Sequence, residues 1–269
     1  MPKLSTLKDS ATRKVLIYGP PKVGKTRLVG MLAQYMDLTW FDSDNGKGTL
    51  FQLPVEYQER IDAHYIPDTK QTPMAYETAA KIVRGGAMTL CEKHGKINCP
   101  LCAPAGKPAT GPVHEINVDK HAGDVNHCYV FDSLTQIATS ALSRICVNKP
   151  DDYKPLQDDW GSYGKLMDSF LTNIQAARYN VICISHEMPV EMNDGKEKLV
   201  PMGGTRNFSR NTAKYFDDVI YCNVVNKEHK IASASTYAPG ILTGSRADVA
   251  LESAKGLGLI ELFRRGEKK

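Results

Sequence analysis

Short apolar runs alternate with longer segments whose apolar residues recur at helical spacing. Strand candidates fall at 14–18, 38–42, 62–66, 127–132, 180–185, 217–223 and 229–234. Residues 129–131 and 181–184 are continuously apolar, as expected of parallel strands covered on both faces. Helices are predicted over 25–36, 72–84, 133–147, 159–178 and 205–214. The third carries Leu134, Ile137, Ala138, Ala141, Leu142 and Ile145 on one face, and the fourth Trp160, Tyr163, Met167, Phe170, Leu171, Ile174 and Ala177; both stripes predict core contacts. Such alternation implies an α/β fold with a mostly parallel, twisted sheet and flanking helices. Residues 86–126 break the pattern with Gly, Pro, Lys and His. They read as an insertion inside one domain spanning 1–269.

Composition narrows the class. A hydrophobic share of 42% is enough for a packed core, and no run of 18 apolar residues suggests a membrane span. The N-terminal Met-Pro-Lys-Leu-Ser-Thr-Leu-Lys lacks the apolar stretch of a secretory signal. A cytoplasmic protein with no membrane partner is expected. The net charge of +4 permits nucleic-acid binding without requiring it. Seven cysteines are an odd number, which argues against a full disulfide framework. Cys128, Cys183 and Cys222 lie in strand-like runs and Cys146 ends an apolar helix, the setting of buried reduced thiols.

The strongest chemical signal follows the first strand. Gly19-Pro20-Pro21-Lys22-Val23-Gly24-Lys25-Thr26, then Arg27, reads G-x-x-x-x-G-K-T between a strand and a helix. That is the context of a phosphate-binding loop, whose backbone N–H groups and helix N-terminus cradle phosphates. Lys25 is placed to reach the β- and γ-phosphates and Thr26 to bind Mg²⁺. Asp132 ends the apolar strand at 127–132, the expected second holder of Mg²⁺. The plain alternative is a cap for the next helix. Asp42 and Asp44 end another strand; Asp44 is the candidate to orient the attacking water and Asp42 a candidate to support the phosphate-binding loop, the alternative being a solvated Asp-rich turn. His186 and Glu187 end a third strand. His186 is a candidate to sense the γ-phosphate, the alternative being a satisfied strand-end histidine with no role, and Glu187 is the second candidate for orienting water.

Two further clusters carry chemistry. Cys91, His94, Cys99 and Cys102 form C-x-x-H followed by C-x-x-C, which suits a closed, structural Zn²⁺ site; a redox-active Cys-x-x-Cys or free thiols are the alternatives. Lys93 and Lys96 would offset its negative charge, and His114 or His121 are alternative fourth ligands. Gly203 and Gly204 precede a segment with Arg206, Phe208, Arg210 and Lys214. A phosphate chain at a helix N-terminus and a base stacked on Phe208 are expected there; a solvated basic face is the alternative. Arg246, in Thr243-Gly244-Ser245-Arg246, is a candidate for reaching a neighbour's γ-phosphate.

In order along the chain, Tyr-Gly-Pro…Gly-Lys-Thr, Trp-Phe-Asp-Ser-Asp, Tyr-Val-Phe-Asp-Ser and Cys-Ile-Ser-His-Glu resemble the core of RecA-like P-loop NTPases. Trp160-Gly-Ser-Tyr-Gly164 before a long helix is similar to short phage ATPases of the single-strand-annealing group. The resemblance spans roughly 14–250 apart from the insertion. It implies Mg²⁺-dependent ATP hydrolysis, single-stranded DNA binding in recombination or annealing, a homo-oligomer, a single-strand-binding or replication protein as partner, and the host cytoplasm as location. Asp44 stands where that family usually has Glu, and His186 where it has Gln. The alternative function is a nucleotide-gated adaptor or loader for a replication protein, with little DNA affinity.

Overall fold

Along the central strands, successive side chains enter opposite cores. Leu16, Tyr18, Phe131 and Cys183 face one core, and Val15, Ile17, Val130 and Ile182 face the other. Burial on both sides explains why these strands lack polar alternation. Each large apolar side chain so enclosed contributes roughly 1.5–3 kcal/mol.

The computed structural model describes residues 12–104, 106, 108–192, 195–226, 228–232, 240–246 and 257–263. Its elements begin β1 (Lys14–Gly19), α1 (Lys25–Gly30), β2 (Asp37–Asp42), α2 (Val55–Gln58), β3 (Ile61–Tyr65) and α3 (Met74–Ile82). Then come β4 (Ala87–Cys91), β5 (Lys96–Ile97), β6 (Val113–Asn117), β7 (His127–Asp132), α4 (Leu134–Cys146) and α5 (Gln157–Ala176). The chain continues with β8 (Asn180–Glu191), β9 (Glu197–Pro201), α6 (Arg206–Asn211), β10 (Asp218–Val225), β11 (Glu228–Ala232), β12 (Gly244–Ser245) and α7 (Leu257–Phe263).

Among the described residues the main sheet has nine strands, in the order β11-β10-β1-β8-β7-β2-β3, with β12 beside β10 and β9 beside β8. From β10 to β3 every neighbouring pair is parallel; β11 closes one edge antiparallel. Helices α3, α4 and α5 cover one face, and α1 and α7 the other. The apolar stripes of α4 and α5 are core, as their spacing requires, except that Trp160 is 38% exposed.

Three sequence expectations are corrected. The helix expected over 25–36 stops at Gly30 and tightens into a 3₁₀ turn at Met31–Gln34. A Cβ on Gly30 would lie 2.7 Å from Leu53 Cδ1, so close packing fixes this poor helix former where the helix ends. The strand expected over 180–185 runs on to Glu191 and pairs antiparallel with β9. Pro189 hid it, but the ribbon beyond the parallel sheet is where a strand tolerates proline. The insertion holds a three-stranded antiparallel sheet, β5-β4-β6. Its Met88, Leu90, Ile97 and Ile116 join the same core as α3. Residues 233–234 of the last expected strand lie outside the described residues. No helix among the described residues is long and apolar enough to cross a membrane.

Candidate functional site

The carboxyl ends of β1, β2, β7 and β8 bring the expected residues together, where open α/β sheets bind ligands. Gly19 is level with His186, and Asp42 with Asp132. Between β1 and α1 the loop turns through left-handed backbone at Lys22 (φ 64°) and Gly24 (φ 87°), which successive N–H groups need in order to face one centre. Lys25 is buried, and its Nζ donates to the carbonyls of Gly19 (2.8 Å) and Pro20 (2.6 Å). Burial holds its pKa below the ordinary lysine value, while Cys222, Asp132, Glu187 and Asp44 pull the other way.

Thr26 Oγ1 donates to Asp132 Oδ2 at 3.0 Å. Burial, then the adjacent Asp42 and Asp44, pushes Asp132 up to about 7. Asp42 is itself buried and accepts from the backbone N–H groups of Asp44, Gly46 and Lys47 at 2.9–3.1 Å. It therefore supports its own turn at 44–47. Gly46 was not foreseen. A Cβ there would lie 3.5 Å from Asp132 Oδ2 and 4.0 Å from both Asp42 Oδ1 and Thr26 Oγ1, so any side chain would fill the space these oxygens surround. A hydroxyl and crowded carboxylates, with one proton held near neutrality, form a donor set that fits Mg²⁺, a hard cation that prefers oxygen.

Burying a charge in Asp132 destabilises the protein whenever metal is absent. Its pKa is raised by folding, so that stability is full at pH 4 and is lost progressively as the pH rises to about 7. In metal-free buffer, Asp132→Asn is expected to melt above the parent at pH 8. The gap should narrow as the pH falls from 7 towards 4. Parallel melting curves for the two proteins across that range would reject this cause.

His186 Nε2 lies 3.9 Å from Asp44 Oδ2, and its backbone N–H donates to Thr135 Oγ1 at 2.9 Å. Burial and then Lys25 lower its pKa, so the imidazole is neutral at neutral pH. Glu187 accepts from the Tyr221 hydroxyl at 2.9 Å. Thr135 was also missed: it contacts Ser185 Oγ (3.3 Å) and the Met202 carbonyl (3.5 Å), tying β8 to the segment after β9. Beside the loop is a mostly apolar cavity of about 130 Å³, lined by Val23, Arg27, Leu28, Met31, His229 and Ile231 among others. His229 Nδ1 lies 2.9 Å from the Val23 carbonyl, and its ring sits over Gly24. No motif in the sequence marked His229.

A family model described as an AAA domain, AAA_24, matches residues 11–246. The chain belongs to this AAA family. It is accordingly a P-loop ATPase domain. No curated protein matches the chain. Among solved structures it is similar to a prototypical ATPase from the type III secretion system of pathogenic bacteria, with 13% identity and a TM-score of 0.46 over 87% of this chain and 57% of that one. It is also similar to the ATPase EscN, solved in complex with its central stalk EscO from enteropathogenic E. coli, with 14% identity and a TM-score of 0.44 over 88% of this chain and 47% of that one. The chain thus spans about half the length of these relatives.

The thiol cluster of this AAA protein assembles as expected. The Sγ atoms of Cys91, Cys99 and Cys102 lie 3.5, 3.6 and 3.4 Å from His94 Nδ1, and all four atoms fall within 4.8 Å of one another. Tetrahedral Zn²⁺ with its usual Zn–S and Zn–N lengths implies S···N separations of about 3.6 Å. Burial raises the Cys99 pKa, but the N–H groups of Cys102 and Leu101 outweigh it and bring the thiol below its ordinary value. The alternative ligands are placed elsewhere: His114 Nε2 is 3.7 Å from Glu92 Oε2, and His121 Nδ1 is 3.4 Å from Asp124 Oδ2.

The basic segment departs from expectation. α6 ends at Asn211 and passes directly into a 3₁₀ turn at Thr212–Tyr215, so the expected helix is present but Lys214 leaves the α-helical spacing of Arg206 and Arg210. Arg210 donates to the Glu191 carbonyl, and Lys214 Nζ lies 4.7 Å from the centre of the Tyr215 ring. Phe208 is half-buried: it stacks on Tyr215 with ring centres 6.5 Å apart and packs against the core. Arg206 is exposed and enters no ion pair among the described residues. The two glycines serve packing. Gly204 (φ 132°) would place a Cβ 1.6 Å from the Tyr163 hydroxyl oxygen, and Gly203 would place one 2.3 Å from Thr212 Oγ1. Arg246 pairs with Asp217 at 3.2 Å.

Proposed function

We propose that this AAA domain hydrolyses Mg-ATP and uses the bound nucleotide to control single-stranded DNA binding in recombination or annealing. Residues 19–27 hold the triphosphate, and the cavity beside His229 takes the base end. Thr26 and Asp132 hold Mg²⁺, which when bound would neutralise charge on the transferring phosphoryl group. Lys25 then exchanges its loop carbonyls for phosphate oxygens. Asp44 orients the attacking water, with Glu187 as the alternative; slower turnover in Asp44→Asn than in Glu187→Gln would favour Asp44. We also assign Zn²⁺ to Cys91, His94, Cys99 and Cys102, as a structural ion.

The observation that supports the DNA reading is a short physical link. Thr135 bonds to the backbone of both His186 and Met202, so a contact between His186 and the γ-phosphate bears on the turn leading to Arg206. The adaptor reading draws support from Phe51 and Val55, close in sequence and 69% and 66% exposed. ATP turnover with and without an oligothymidylate separates the two. DNA is expected to raise turnover, and raised salt to weaken binding with a slope of roughly 0.7 per phosphate contact. If DNA neither binds nor alters turnover, the adaptor reading takes first place.

A further inference from the structure

We propose that the cavity between α4, α5 and the turn at 203–205 binds one unpaired nucleobase, stacked on Trp160. The inference rests on the DNA-binding reading above and replaces Phe208 as its stacking residue. The cavity is open, holds about 180 Å³, and is lined by Thr135, Thr139, Leu142, Trp160, Tyr163 and Thr205 among others. Its walls thus offer an aromatic face, apolar surface and the hydroxyls of Thr139 and Thr205. These respectively donate to the Thr135 carbonyl and accept from the Phe208 N–H, and keep further hydrogen-bonding capacity, while Thr135 Oγ1 is taken up by His186, Ser185 and Met202. A nucleobase needs that mixture: a ring to stack on and polar edges to satisfy.

Three features of the surroundings favour a base over an apolar side chain. First, Trp160 is 38% exposed although it lies on the apolar stripe of α5, and its ring meets Tyr163 edge-on with centres 5.9 Å apart. Part of the indole is therefore open to a ligand. Second, the wall is built to stay in place. Gly204 lies so close to Tyr163 that no side chain fits, and Tyr163 donates to the Gly203 carbonyl at 3.3 Å. Third, charge is divided across the cavity. Exposed Arg206 directly follows the wall residue Thr205. On the other side, the first turn of α5 carries Asp158 and Asp159, and Asp159 is occupied by the Leu156 N–H and the Tyr153 hydroxyl. A strand would run its phosphates past Arg206 and turn a base inward. An apolar side chain would use neither Arg206 nor the hydroxyls. Thr135 belongs both to this wall and to the contact with His186, so the base site borders the nucleotide site.

The two tryptophans make the test direct, since Trp40 is fully buried. In a Trp40→Phe background, emission reports Trp160 alone. Binding of labelled oligothymidylate, and of an abasic strand of equal length, is measured by anisotropy with a non-hydrolysable ATP analogue present. The base-bearing strand is expected to bind more tightly and to quench Trp160. Trp160→Ala should lose roughly 5- to 150-fold in affinity for it, the usual range for one stacked base, and should no longer distinguish it from the abasic strand. Thr139→Trp, at an exposed position of α4, should block the cavity and give the same loss. Circular dichroism and melting temperature report whether each variant is folded. If the parent binds the base-bearing strand but both variants bind it equally well, this inference falls and the DNA reading stands. If the parent binds no strand, both fall together. Trp160 emission that follows protein concentration and ignores DNA would assign the cavity to a second copy of the chain, overturning the proposal.

Discussion

Lys25→Ala is expected to lower ATP turnover by on the order of a hundredfold or more, the usual cost of removing a charge that meets developing transition-state charge. The side chain is buried and already aimed along the loop, bonded to Gly19 and Pro20. A ligand phosphate offers a stronger, charge-assisted partner than those two carbonyls, so the ammonium has reason to move onto it. Steady-state phosphate release is the readout. The rise in melting temperature on adding Mg-ATP should shrink in the same variant. Parent-like turnover would mean that hydrolysis does not pass through this loop.

Metal analysis should find about one Zn²⁺ per chain, as a closed four-ligand site requires, and Cys99→Ser should lose most of it. The thiol–imidazole distances already match a filled tetrahedron, and Cys99 is 2% exposed. Losing the ion should lower the melting temperature, because metal binding at such sites is coupled to local folding. The effect need not stay local. Gly95 accepts from the Thr78 hydroxyl of α3, and the small sheet shares a core with that helix. ATP binding should persist, since no loop residue lies in the insertion. Protein purified reduced and without chelator, yet free of metal, would end the zinc assignment.

Local pattern determined much of this protein. Residues 19–26 name their own chemistry, because a phosphate cradle needs a fixed spacing of glycines, Lys and Thr along one turn. Asp132 and His186 were legible because each closes an apolar run, and the parallel pairings of their strands end on the same side of the sheet. The Cys91, His94, Cys99 and Cys102 cluster was legible because two close pairs of ligating residues can meet at one point. The small sheet of the insertion was not, since its strands are short and its apolar residues alternate only over a few positions. Tertiary structure alone decided contacts between distant segments. It set Thr135 between His186 and Met202, placed Gly46 among three carboxylate and hydroxyl oxygens, and brought His229 over Gly24. It also turned Phe208, expected to meet a base, onto Tyr215 and left Trp160, expected in the core, 38% exposed. Periodicity reports which face of a helix is buried. It does not report where the covering layer ends, and the cavity beside Trp160 lies at that edge.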